Sequence, residues 1–134
     1  MSIHKINHLA IVVEDLESAL IFWRDALGLK FEGQTDVEAE AVRVGFLDAN
    51  GVHIELVQPT TSDSGIAKYL EKKGQGMHHL CFDVDDVEAE MESLSAKGVE
   101  FINEAPRVRD NGTKYAFIHP RSTGGVLIEL YQKP

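Results

Sequence analysis

Four side chains of types that ligate metals occur in this chain as two matched pairs. "HLAIVV", from His8, is written again as "HLCFDV", from His79, and "HIELVQP", around Glu55, is written again as "LIELYQKP", around Glu129. Each glutamate stands between an isoleucine and a leucine, in a segment whose side chains should alternate across a β-strand. Ile54 and Leu56 then face one side, as do Ile128 and Leu130, while Glu55 and Glu129 face the other. A carboxylate in such a segment is costly without a compensating partner, and a bound cation is one such partner. Two neutral imidazoles and two carboxylates form a donor set for a divalent ion. Co²⁺, Mn²⁺, Ni²⁺, Fe²⁺ and Zn²⁺ all suit these donors. The expected ligands are His8, Glu55, His79 and Glu129.

The elements that must carry these residues are themselves repeated. At a constant offset, Leu9 lies over Leu80, Val13 over Val84 and Asp15 over Asp86. Leu16, Leu20, Trp23 and Leu27 recur at helical spacing, and Val87, Met91, Leu94 and Gly98 follow the same pattern. Asp15 and Asp86 suit helix N-caps, and Gly28 and Gly98 suit the stops. Each half therefore reads as strand, helix and three strands. The strands are expected at about 5–13, 29–35, 40–48 and 52–58, then at 77–84, 99–104, 113–119 and 125–132. "DANG" and "HPRSTGG" supply turns, and "SDSGIAKYLEKKGQG" a short amphipathic linker helix. The predicted fold is α+β: two tandem βαβββ modules forming a curved mixed sheet around a metal-binding cup. One domain, 1–134, is expected, with module 1 at about 1–60, the linker helix at about 61–75 and module 2 at about 76–134. If two such sheets pair about a pseudo-twofold, the four donors converge.

Composition narrows the partners. A formal net charge of −9 disfavours nucleic acid, whose phosphates need clustered Lys and Arg. No apolar run approaches the roughly twenty residues of a membrane span. The single cysteine, Cys81, fits a reducing compartment and reads as a buried thiol. "MSIHKINHLAIVV" lacks the pattern of a secretory leader, so a cytoplasmic protein is expected. Of the other histidines, His53 shares a face with Glu55 and reads as rim, and His78 reads as structural. His4 should be exposed, and His119, at a strand end before Pro120, is placed to touch a ligand.

With these residues in view, the chain resembles the vicinal oxygen chelate superfamily, which pairs two βαβββ modules around a metal. Within it the resemblance is to the methylmalonyl-CoA epimerase family. It rests on "INHLAIVVEDLESALIFWRDALGLKF", on "HIELVQPTTSDSGIAKYLEKKGQGMHHLCFDVDD" and on "FIHPRSTGGVLIEL". The double histidine after "KGQG", the linker and "HPRSTGGVLIEL" are the segments particular to that family. The resemblance implies the same four ligands, an acyl-CoA thioester as substrate and a homodimer. Two positions depart from the family pattern. Glu40-Ala41 stands where Gln-Gly is common, and Val44 stands where some members carry a glutamate discussed as a base.

Epimerisation removes the proton between a thioester and a carboxylate and returns one to the opposite face. That calls for a cation to stabilise the enolate and a proton carrier on each side. Glu129 and Glu55 are the expected pair of carriers. Arg107, Arg109, Lys114 and Arg121 are the expected contacts of the coenzyme tail, with His119 beside them. Three other readings use the same fold. A glyoxalase I would use the same four ligands on a glutathione hemithioacetal. An extradiol-type non-haem iron dioxygenase would need only His8, His79 and Glu129, with open positions that Glu55 would reduce. A metal-free binding protein would have a cup without ligands.

Overall fold

Each half of the repeat folds as a compact unit in the computed structural model, which describes residues 3–134. One unit is His8–His78; the other is His79–Pro134 together with residues 3–7. The first unit holds the second half of β1 (Ile3–Val12), then α1 (Leu16–Leu20) and a π-helical stretch, Ile21–Ala26. After these come β2 (Lys30–Val37), β3 (Val42–Ala49), β4 (Val52–Pro59) and α2 (Gly65–Lys73). Its strands lie in the order β2-β3-β4-β1, with β1 parallel to β4 and the others antiparallel. β5 (Gly76–Val84) leads into the second unit, which continues with α3 (Val87–Ala96), β6 (Arg107–Val108), β7 (Lys114–Ile118) and β8 (Ile128–Gln132). There the order is β5-β8-β7-β6, with β5 parallel to β8 and the remaining pairs antiparallel.

The same local devices fix both helices on their sheets. The Asp15 carboxylate accepts from the Ser18 N–H, and Asp86 accepts from the Ala89 N–H. These are the N-caps that the sequence predicts, each satisfying a helix donor that has no intrahelical partner. A second contact is also duplicated. Gln58, at the end of β4, accepts from the Leu16 N–H at 2.8 Å, and Gln132, at the end of β8, accepts from the Val87 N–H at 2.9 Å. Gly28 and Gly98 end the helical segments at φ 86° and 91°, where a Cβ would be disfavoured.

Leu16, Leu20, Leu47, Ile54 and Leu56 form the apolar cluster of the first unit, and Val87, Met91, Ala116, Ile118 and Leu130 that of the second. At one equivalent place the two cores trade volume. Gly45 on β3 faces Leu16 so closely that an added Cβ would stand 2.7 Å from Leu16 Cδ1. The second unit carries Ala116 and Val87 in these places, a larger strand residue with a smaller helix residue.

Two predicted elements differ from the structure. The single helix expected through Leu27 is α-helical only to Leu20, and the Leu27 N–H then bonds to the Phe22 carbonyl, five residues back. The wider turn keeps Trp23 against the core but swings Leu27 outward, leaving it 52% exposed. The strand expected at 99–104 is reduced to one bridge, Phe101 with Ile118. The Asn103 side chain takes over there, its Oδ1 accepting from the Phe117 N–H at 2.8 Å. Pro106 offers no N–H to a ladder, and pairing resumes only in β6, which the sequence reading did not anticipate. Cys81 is fully buried. Among the described residues no helix is long and apolar enough to cross a membrane.

Candidate functional site

Within each unit the parallel strand pair puts one histidine beside one glutamate. In the first, Ala10 on β1 is in register with Glu55 on β4, and His8 lies two residues earlier on the same face. His8 Nδ1 is 3.2 Å from Glu55 Oε2. In the second, Cys81 on β5 is in register with Glu129 on β8, and His79 is again two residues earlier. His79 Nε2 is 3.1 Å from Glu129 Oε1. The next strand places Phe46 opposite Glu55 and Phe117 opposite Glu129. The repeat in sequence is thus a repeat in geometry, down to an aromatic neighbour for each carboxylate.

The donor chemistry and spacing of both pairs fit a divalent ion. Two ligand atoms bound at about 2.1 Å to one ion stand about 3.0–3.4 Å apart at octahedral or tetrahedral angles. Both nitrogen–oxygen distances, 3.2 and 3.1 Å, lie in that interval. His8 and Glu129 are buried, at 6% and 2% exposure, whereas His79 and Glu55 are partly buried.

Glu129 has further neighbours in its own unit. Arg109 Nη2 approaches Glu129 Oε2 at 3.9 Å, and its guanidinium lies over the Tyr115 ring, 4.4 Å from the centroid. Tyr115 meets Phe117 edge to face, and Phe117 meets His79 in the same way, with centroids 6.1 and 5.4 Å apart. Arg109 was expected on the coenzyme tail; the structure sets it beside a carboxylate of the site. Sequence reasoning missed Tyr115 and Phe117, although the recurrence of Phe46 and Phe117 before matching strands was a usable signal.

The other basic candidates lie in different local settings. Lys114 reaches Glu88 at 3.0 Å and Arg121 reaches Glu100 at 2.5 Å, and Arg107 is exposed on β6. His119 accepts from the Arg121 backbone N–H through Nδ1, capping the short turn at Pro120–Ser122. His53 bonds to Glu32 at 2.9 Å, and the His78 ring packs edge to face on Tyr69. His4 is exposed and pairs with Asp85. Val44, at the position of the missing family glutamate, is buried in an apolar cluster with Ala10, Val42 and Val57.

Comparison with known proteins assigns the lineage. The glyoxalase/bleomycin resistance protein/dioxygenase superfamily model matches residues 7–117. The mitochondrial methylmalonyl-CoA epimerase of Mus musculus is 36% identical over 129 residues, which cover 96% of this chain and 72% of that protein. The chain belongs to the methylmalonyl-CoA epimerase family of that superfamily. The ethylmalonyl-CoA/methylmalonyl-CoA epimerase of Cereibacter sphaeroides is 35% identical, with 97% of this chain and 98% of that protein covered. The solved structure of a variant Streptomyces coelicolor methylmalonyl-CoA epimerase in complex with 2-nitronate-propionyl-CoA matches with a TM-score of 0.85 at 32% identity, covering 98% and 99% of the two chains. The mixed-sheet fold of paired βαβββ modules read from the repeat is therefore the fold of the family.

Proposed function

We propose that this chain interconverts (2R)- and (2S)-methylmalonyl-CoA, with His8, Glu55, His79 and Glu129 as ligands of a divalent cation. The observation that carries the reading is the duplicated His–Glu pair, set at the same strand register and spacing in both units. When bound, the cation, with Co²⁺ the expected ion, supplies Lewis-acid stabilisation for charge developing on the thioester oxygen. Glu129 takes the α-proton from one face of the carbon, and Glu55 returns one to the other. The buried setting of Glu129 keeps water from competing for its proton. Phe46 and Phe117 stand opposite the two carboxylates on the neighbouring strands. The chain is proposed to act as one cytoplasmic domain, assembled as a homodimer, with Arg107, Lys114, His119 and Arg121 available to the coenzyme tail.

The test is proton exchange. Metal-loaded protein incubated with one epimer of methylmalonyl-CoA in D₂O is expected to incorporate α-deuterium while the epimers equilibrate, and a chelator is expected to stop both. Absence of exchange, together with turnover of methylglyoxal plus glutathione, would establish a glyoxalase instead.

A further inference from the structure

Arg109 is the cation whose placement a general role on the coenzyme tail does not explain. It belongs to the connection between β6 and β7, which is tightly tied. The Arg109 N–H donates to the Thr113 carbonyl at 2.8 Å, the Gly112 N–H donates back to the Arg109 carbonyl at 2.9 Å, and the Thr113 N–H donates to Asn111 Oδ1 at 3.0 Å. These bonds hold the backbone of the arginine in the turn. Its side chain lies over the Tyr115 face, at a separation where a cation and a ring attract. The guanidinium ends 3.9 Å from Glu129. A guanidinium carries five N–H donors in a planar fork, more than one carboxylate can take, and that fork matches a second carboxylate in shape.

From this placement we infer that Arg109 binds the free carboxylate of the acyl group and so selects substrates that carry one beside the reacting carbon. The inference rests on the epimerase reading, because Glu129 is the group proposed to reach the α-proton. The carboxylate is bonded to that same α-carbon, so a group near the acid–base residue meets it. The phosphates of coenzyme A offer the same anionic chemistry, but they are separated from the α-carbon by the whole pantetheine arm. An arginine at the reacting end therefore reads the acyl carboxylate, and the tail is left to other residues.

Methylmalonyl-CoA and propionyl-CoA differ only in this carboxylate, which makes them the probes. Their dissociation constants are to be measured by calorimetry on cobalt-loaded wild-type protein, R109M and R109K, with circular dichroism confirming the fold of each. Wild type is expected to prefer methylmalonyl-CoA, and R109M to lose about 10- to 100-fold of that preference, as expected for a charge-assisted pair. Propionyl-CoA binding should change little, and R109K should recover part of the preference, since a point charge replaces the fork. If R109M weakens both thioesters by one factor, the arginine serves the tail and the inference fails. If neither constant changes, it fails as well. A wild-type protein that binds both thioesters but exchanges no α-proton would overturn the epimerase reading separately, while the ratio still decides what Arg109 recognises. Binding of neither thioester would overturn both.

Discussion

Two copies of one structural plan have been put to unequal use. In the unit His8–His78, Glu55 lies beside His8 with a side chain 20% exposed; in the other unit, Glu129 lies beside His79 with a side chain 3% exposed. Glu129 has an arginine within 4 Å, and its unit stacks an aromatic shelf under that arginine. Equivalent His–Glu geometry with unequal burial and charge teaches that duplication fixed the paired side chains, whereas the surroundings of each carboxylate diverged. A symmetric pair of bases would treat both faces of a substrate alike. Here Glu129 has the more sheltered position and a cationic neighbour.

The largest expected effect tests that asymmetry. Glu129→Gln should lower epimerase turnover about 10³-fold, and Glu55→Gln about 10²-fold, within the span of general acid–base contributions. Following α-deuterium incorporation from each epimer separately would show which face each residue serves. Wild-type rates in both variants would remove them as proton carriers.

A stability experiment addresses the exchanged volumes in the two cores. Gly45→Ala should destabilise the protein by about 1–2 kcal/mol, because the new methyl group meets the well-packed Leu16. Leu16→Val alone should cost about 1 kcal/mol through lost contact. The double variant reproduces the pairing already present as Val87 and Ala116, so it should be more stable than the sum of the single costs predicts. Additive losses in urea melts would show that the cores differ for another reason.

Smaller, matched losses are expected where the units are most alike. Gln58→Leu and Gln132→Leu each remove the acceptor for the first helical N–H, at about 1 kcal/mol and a Tm lower by about 3–6 °C. Clearly unequal shifts would break the equivalence of the two contacts. The smallest effect concerns acid. Asp15 is held below the usual carboxylate value of 3.8, first by its side-chain bond with Ser18 and then by the Ser18 backbone N–H. Such a group stabilises the fold above its unfolded value, and the contribution is lost as pH falls through the lower folded value. Amide protection of α1 should therefore decline below about pH 3.8, and Asp15→Asn, which caps without titrating, should flatten that decline in hydrogen exchange.

Much of this was legible in the sequence because both signals were local and written twice. The alternation around Glu55 and Glu129 and the caps at Asp15 and Asp86 depend on neighbours a few residues away. The π-helical stretch was not legible, since Leu16, Leu20, Trp23 and Leu27 satisfy an α-helical spacing equally well. The strand expected at 99–104 was lost to Asn103, whose side chain does the work of a backbone acceptor for Phe117. No periodicity reports such a substitution. Arg109 was recognised as a cation, but its seat on Tyr115 depends on a turn that joins two strands, and spacing alone does not reveal where that turn points.

Gln58 and Gln132 each lie three residues beyond the glutamate of their strand and touch the first residue of the helix packed behind it. The interval works as a ruler: one residue added or removed between Glu and Gln would flip one of the two to the wrong face. The chain could not keep both its helix start and the facing of its carboxylate. Drift in either strand is thereby confined to substitutions, and the depth of each carboxylate is held from the far side of the sheet.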